Sequence, residues 1–147
     1  MRKSLCVGAL ALSFLVSSLA ALPAAAKSVD GMRARIPFDF HVGGRLVRAG
    51  AYTVKSLTAD EQVIRLQSGR EVATTTTNSA NERGNGEGRA RLVFHKYGDQ
   101  YFLAAVWGPD STGRTITASK RERNLRKELQ AARGGAPGME IMTVAAR

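Results

Sequence analysis

Residues 33–42 read Arg-Ala-Arg-Ile-Pro-Phe-Asp-Phe-His-Val, and apolar side chains occupy every second position of this stretch. The apolar set consists of Ala34, Ile36, Phe38, Phe40 and Val42. Because successive side chains of a strand point to opposite faces, this period of two predicts a half-buried β-strand. Pro37 cannot donate to a sheet ladder, so the strand is predicted to lie at an edge or to be bulged there.

The same alternation recurs in short segments separated by turn residues. Tyr52 and Val54 are predicted to share one inward face, and so are Ile64 and Leu66. The clearest hairpin is predicted for residues 89–97 and 100–107, where the side chains on one face of the second arm are Tyr101, Leu103, Ala105 and Trp107. The pattern predicts an all-β fold with one short C-terminal helix, as a small antiparallel barrel or sandwich of about 7–8 strands. Short connections favour a meander.

One segment has the features of a helix, at about residues 119–133. Ser119 is a suitable N-cap and Glu122 stands three residues later, which is the spacing of a capping box. Gly134 supplies the stop signal. Alternation then returns and predicts a final strand at about residues 139–145.

The N-terminus has the pattern of a secretory signal peptide. Arg2 and Lys3 precede an uncharged apolar run, and Ala24-Ala25-Ala26 fits the small-residue cleavage site. We therefore expect residues 1–26 to be removed and residues 27–147 to form a single β-rich domain in the periplasm or outside the cell. An uncleaved anchor is the alternative, since the run approaches the length of a spanning helix. Cys6 is the only cysteine, so the mature domain is predicted to be cysteine-free.

The chain is basic, with a formal net charge of +10 that falls to +8 without Arg2 and Lys3. Such a surface attracts anionic partners, although net charge also serves solubility. The predicted partners are an anionic envelope component or a small apolar ligand. No nucleic acid is expected as a partner of an exported protein, and no transmembrane segment is expected after signal cleavage.

Two stretches resemble a family of small exported bacterial proteins that have no assigned activity. The first reads Pro-Phe-Asp-Phe-His-Val-Gly at 37–43 and continues as Ala-Gly-Ala-Tyr-Thr-Val at 49–54. The second runs from Leu92 to Leu103 and is followed by Trp107, Gly113-Arg114 and Ser-Lys-Arg-Glu-Arg at 119–123. The resemblance implies export and carries no ligand or activity with it.

No catalytic, cofactor-binding or metal-binding set is predicted from the residue patterns. His41 and His95 both fall on predicted strands, and with Asp39 they would form a metal site only if those strands were neighbours. The nucleophile elbow typical of hydrolases is absent from the sequence, and the predicted mature domain has no cysteine. The chain is therefore not expected to be an enzyme, and no cofactor is expected.

The leading hypothesis is an exported, non-enzymatic binding or interaction module. Five aromatic residues are predicted to line either a packed core or a small apolar pocket: Phe38, Phe40, Phe94, Tyr101 and Trp107. The alternative is an envelope-associated structural protein that docks on anionic surfaces through a basic C-terminal helix. The contact residues would be Lys120, Arg121, Arg123, Arg126 and Lys127. A metal-dependent enzyme that uses His41 and His95 is the third alternative.

Overall fold

The computed structural model describes residues 29–81, 88–132 and 138–147. Ten strands and one helix follow one another along these parts of the chain: β1 (Arg33–Ile36), β2 (Phe40–Val42), β3 (Arg45–Val47), β4 (Gly50–Ser56), β5 (Val63–Ser68), β6 (Glu71–Asn81), β7 (Arg91–Tyr97), β8 (Gln100–Trp107), β9 (Thr112–Ile116), α1 (Lys120–Ala132) and β10 (Glu140–Ala145). The predicted fold class, all-β with one short C-terminal helix, is confirmed. The predicted signal peptide lies outside the described residues.

The strands form one mixed sheet in the order β1-β4-β5-β6-β9-β8-β2-β3, and β7 joins β8 to β10. The predicted meander is wrong, because β1 pairs with β4 and β2 runs parallel to β8. The alternating stretch at 33–42 is thus two strands in different parts of the sheet. The chain leaves the ladder at residues 37–39, where Pro37 has no N–H to donate and Asp39 Oδ1 accepts the N–H of Ala49 at 2.7 Å.

Of the two predicted architectures, a small antiparallel barrel or a sandwich, the barrel is wrong because the sheet is not closed. The outer strand β1 and the residues that follow the outer strand β10 meet at a single bridge between Ala34 and Ala146. Arg33 and Arg147 flank that bridge and exchange two backbone hydrogen bonds of 2.8 and 3.0 Å. No further ladder joins β1 to β10 in the described residues, so the sheet curves towards closure without completing it.

One hydrophobic core lies inside the curve of the sheet. Alternate positions of most strands point into it, including Tyr52 and Val54 on β4 and Ile64 and Leu66 on β5, as the alternation predicts. The large core residues are Ile36, Phe40, Tyr52, Val54, Ile64, Leu66, Leu92, Phe94, Leu103 and Val106. Burial of these apolar side chains is the main force that holds the strands together.

A β-bulge between β7 and β8 changes which side chains of β8 face the core. Val93 pairs with Ala105 and Phe94 with Leu103, so Ala104 has no partner on β7. Leu103 and Val106 belong to the core, whereas Trp107 does not. The predicted common face of Tyr101, Leu103, Ala105 and Trp107 is therefore wrong beyond the bulge.

Trp107 packs on the outer face of the sheet between its two cross-strand neighbours, Arg91 and Gly113. The Arg91 guanidinium lies 5.3 Å from the centre of the indole ring, at cation–π distance. A Cβ atom at residue 113 would lie 2.3 Å from Cε3 of Trp107. Only glycine at 113 therefore leaves room for the ring in this position.

Candidate functional site

The helix α1 begins as the sequence predicts. Ser119 Oγ accepts the N–H of Glu122 at 3.2 Å, and the Ser119 carbonyl accepts the N–H of Arg123 at 3.0 Å. These bonds satisfy two donors at the N-terminus of the helix that have no partner within it. The second half of the predicted capping box is not formed, because the Glu122 carboxylate turns towards the sheet.

Glu122 fastens α1 to the outer face of β7. Its Oε1 atom lies 2.8 Å from His95 Nδ1 and accepts a hydrogen bond of 3.3 Å from the Tyr97 hydroxyl. Of the thirteen residues of α1, all of them described, only Glu122 is buried, with 4% of its surface exposed. We call Glu122, His95 and Tyr97 the helix anchor.

The electrostatics of the helix anchor favour a neutral tyrosine as donor. Burial, followed by the negative charge of Glu122, raises the pKa of the Tyr97 hydroxyl, while the nearby Arg126 acts in the opposite direction. Tyr97 therefore keeps its proton at neutral pH and donates a hydrogen bond to the carboxylate. A buried carboxylate without such partners would be strongly destabilising.

The five predicted contact residues of α1 are all exposed. This basic helix face consists of Lys120, Arg121, Arg123, Arg126 and Lys127. Arg121 donates through Nε and Nη2 to Gln100 Oε1 at 3.2 and 3.0 Å, and Arg123 donates to the Ala118 carbonyl at 2.5 Å. These bonds orient two of the guanidinium groups and leave the face open to solvent.

His41 and His95 do not form a common site. Both pair with Phe102 on β8, one from each side, so their Cα atoms are about 10 Å apart with the Phe102 ring between them. His41 stacks on that ring at 4.8 Å, while His95 contacts Glu122. No group of three metal-ligating side chains is arranged to hold an ion in the described residues.

His41 has an environment that opposes its protonation. The side chain is buried, its Nδ1 atom has no hydrogen-bond partner, and Arg121 is close. Burial, and after it the positive charge of Arg121, lowers the pKa of His41.

We expect His41 to make the fold less stable in mild acid. The unfolded chain protonates His41 near pH 6.5, whereas the folded chain does so only at lower pH. From about pH 6.5 downwards the unfolded state therefore binds more protons, and the free energy of unfolding falls until the folded pKa is passed. The variant His41→Phe keeps a ring against Phe102, and its urea-unfolding free energy should drop less between about pH 7 and pH 5. An equal drop in both proteins would contradict this expectation.

The five aromatic residues predicted to line a core or a pocket occupy different environments. Phe40 and Phe94 are fully buried and meet edge-to-face at 5.4 Å. Phe38 is partly buried, lies 5.2 Å from Phe94 and stacks on Tyr101 at 3.9 Å. Trp107 lies outside this cluster. The four connected rings therefore pack as part of the core.

A cleft of about 410 Å³ opens beside the start of α1. Its charged lining combines Asp39 and Asp99 with Arg121, and His41 forms part of its wall. Because the cleft carries both acidic and basic side chains, it is not a continuation of the positively charged surface formed by the basic helix face.

Sequence reasoning did not identify the helix anchor. The spacing of Ser119 and Glu122 matched a capping box, which assigned the carboxylate to the helix itself. The one available signal was that His95 and Tyr97 share the outer face of β7, two residues apart.

No protein-family model, no curated protein and no solved structure matches the chain. The predicted kinship with small exported bacterial proteins therefore stays a prediction. Within the described residues, no helix has both the length and the apolar character needed to cross a membrane.

Proposed function

We propose that this protein is an exported, non-enzymatic interaction module that docks on an anionic component of the cell envelope through the basic helix face. The observation that carries the proposal is the helix anchor. Because Glu122 is bound to His95 and Tyr97 on the sheet, α1 has a defined orientation with all five basic side chains exposed. A rigidly presented charged surface loses less entropy on binding than a mobile one.

The charge balance of α1 supports an anionic partner. Its acidic residues are Glu122, which is buried and already paired, and Glu128, which is exposed. The exposed surface of the helix is therefore strongly positive and would attract phosphate or carboxylate groups displayed on a membrane or glycan. Leu125 and Leu129 are only partly exposed, so the contact would be mainly electrostatic rather than an insertion into lipid.

The aromatic cluster gives less support to the small apolar ligand. Phe40 and Phe94 are fully buried and contact each other, and Phe38 and Tyr101 stack at their edge. These rings fill the interior that such a ligand would occupy. The separation of His41 and His95 likewise gives no support to a metal-dependent enzyme.

Export is part of the proposal and rests on the sequence pattern of residues 1–26. Cleavage after Ala26 places the basic helix face in the periplasm or outside the cell, where anionic lipids and glycans are accessible. N-terminal sequencing of the protein recovered outside the cytoplasm should begin at Lys27.

Docking is tested by co-sedimentation with vesicles that contain phosphatidylglycerol and phosphatidylcholine, compared with phosphatidylcholine alone. The triple variant Lys120→Gln, Arg123→Gln, Lys127→Gln removes three exposed charges and leaves the helix anchor intact. We expect its binding to anionic vesicles to weaken about a hundredfold, since each basic residue near such a surface contributes roughly a factor of five. Binding of the unaltered protein should fall steeply with salt.

The matched control removes the same charge from strands and turns, as Arg48→Gln, Lys55→Gln, Arg70→Gln, three exposed positions away from α1. It should keep most of the vesicle binding. Equal losses in the two triple variants would show that net charge alone is responsible, and binding to neutral vesicles would contradict the electrostatic basis.

A further inference from the structure

A groove of about 600 Å³ runs along the seam where β1 meets the end of β10. Three of its lining residues are arginines and the others are small or apolar. We call this the seam groove, and its outward-facing lining consists of Arg33, Arg35, Ala51, Thr53, Ala145 and Arg147. It lies apart from the basic helix face, which contributes no residue to it.

Strand geometry brings the three arginines together on the outer face of the sheet. Arg33 and Arg35 are two residues apart on β1, which places their Cα atoms about 7 Å apart on the same face. Arg33 and Arg147 exchange both of their backbone hydrogen bonds, and such a pair has Cα atoms about 5.5 Å apart. Ala34 and Ala146 face the core, so their neighbours Arg33 and Arg147 face solvent together.

The positive charge of the seam groove is not balanced by its lining. No acidic side chain lines it, and none of the three guanidinium groups has a carboxylate partner among the described residues. Asp30 lines the adjoining groove together with Arg147, where its carboxylate accepts the N–H of Ser56 at 2.6 Å and forms no ion pair with the three arginines in the described residues. If the main chain of Arg147 carries a carboxylate group, its negative charge offsets one of the three arginine charges and the groove keeps a net charge of two.

This arrangement is costly in the absence of an anion. Like charges directly opposite each other on neighbouring strands destabilise a sheet, and Arg33 faces Arg147 at the point where β1 and β10 meet. A bound anion would offset that repulsion and bridge the two strands at the same time.

The shape of the groove fits a small ligand. Ala51 is the cross-strand neighbour of Arg35, and Ala145 also lines the groove; both have short side chains, which leaves space between the guanidinium groups. Planar guanidinium groups bind carboxylate and phosphate oxygens with two parallel hydrogen bonds each. Three of them in one groove match a ligand with several anionic oxygens.

We propose that the seam groove is a binding site for a small soluble oxyanion with two or more negative charges, held by Arg33, Arg35 and Arg147. The ligand joins β1 to β10 and so stabilises the seam of the incompletely closed sheet. Its chemistry is that of a phosphate ester, a diphosphate or a polycarboxylate.

The test is isothermal titration calorimetry of residues 27–147 with pyrophosphate and with citrate, and with chloride as the monovalent comparison. We expect saturable binding of the two polyvalent anions and none of chloride. The double variant Arg33→Gln, Arg35→Gln should raise the dissociation constant for the polyvalent anions by about tenfold or more. The reason is that the loss of a hydrogen bond between charged groups changes a binding constant by about that factor. Hydrogen exchange at the amides of Arg33 and Arg147 should slow when pyrophosphate is bound.

A charge-matched control, Lys55→Gln with Arg70→Gln, removes two exposed charges elsewhere and should bind pyrophosphate normally. Equal weakening in both double variants, or the absence of saturable binding by the unaltered protein, would overturn the site. The α1 triple variant should retain pyrophosphate binding, and the seam variant should retain vesicle binding. If the seam variant instead loses vesicle binding and soluble anions do not bind, the arginines belong to a membrane-docking surface and the proposal fails.

Discussion

Replacement of Phe94 by alanine is expected to lower the free energy of unfolding by about 3–5 kcal/mol. Phe94 is fully buried on β7 and meets Phe38 and Phe40 edge-to-face at 5.2 and 5.4 Å. The substitution removes the ring that these two neighbours share. The surrounding strands are tied by ladder hydrogen bonds and can collapse only partly into the space, so a cavity cost is added to the lost burial.

Urea denaturation followed by tryptophan fluorescence measures this effect, because Trp107 is the only tryptophan of the chain. Phe38→Ala is the matched control: the same ring is removed from a partly buried position, and the loss should be smaller. A cost below about 1 kcal/mol for Phe94→Ala would mean that the interior already contains a void. That result would favour the hypothesis that the protein binds a small apolar ligand in its interior.

Replacement of Arg114 by alanine is expected to cost about 3–5 kcal/mol, far more than an ordinary surface arginine. Arg114 Nε donates to Glu61 Oε2 at 3.1 Å, and only 3% of the surface of Glu61 is exposed. The other carboxylate oxygen accepts the N–H of Val29 at 3.2 Å, and the Glu61 carbonyl accepts the Thr77 hydroxyl at 2.6 Å. Loss of the guanidinium removes a cation that lies directly against this buried carboxylate.

A double-mutant cycle with Glu61→Ala separates the pair from its surroundings. Removal of both partners should cost clearly less than the sum of the two single substitutions, because the contact between the two groups is lost only once. Arg70→Ala, at an exposed turn, is the control and should change stability by less than about 0.5 kcal/mol. A cost below about 1 kcal/mol for Arg114→Ala would place this pair with weak surface ion pairs and contradict the expectation.

The residue pattern correctly predicted several local features of the fold. Alternation at Tyr52 and Val54, and again at Ile64 and Leu66, correctly assigned the core face of two strands. Ser119 correctly marked the start of the helix. These features are local: a period of two or a capping side chain acts over a few residues and can be read without knowledge of the partner strand.

The pattern failed wherever a distant partner decided the outcome. The stretch 33–42 was predicted as one strand, yet β1 pairs with β4 and β2 with β8. About 7–8 strands were predicted and the described residues form ten, partly because this stretch divides. The barrel was wrong because the chain meets β1 only after the end of β10, at the bridge between Ala34 and Ala146.

The candidate site shows the same limit. The five basic residues of α1 could be placed on a helix from the sequence, but nothing local predicted that Glu122 would bind His95 and Tyr97. Arg33 and Arg35 fall on the face of the predicted strand opposite to the apolar set, which says nothing about their neighbours. Their proximity to Arg147 depends on the meeting of β1 and β10, which are more than a hundred residues apart in the chain.

The sequence by itself determined that the chain is rich in strands, where the helix α1 begins, and that the chain is basic and carries a signal-peptide pattern. The tertiary structure alone decided the order of the strands, the bulge that turns Trp107 away from the core, and the partners of Glu61 and Glu122. The physical reason is the distance along the chain over which each kind of interaction acts. Side-chain periodicity and capping are properties of neighbouring residues, whereas strand pairing and the burial of a charge depend on groups that only the folded chain brings together.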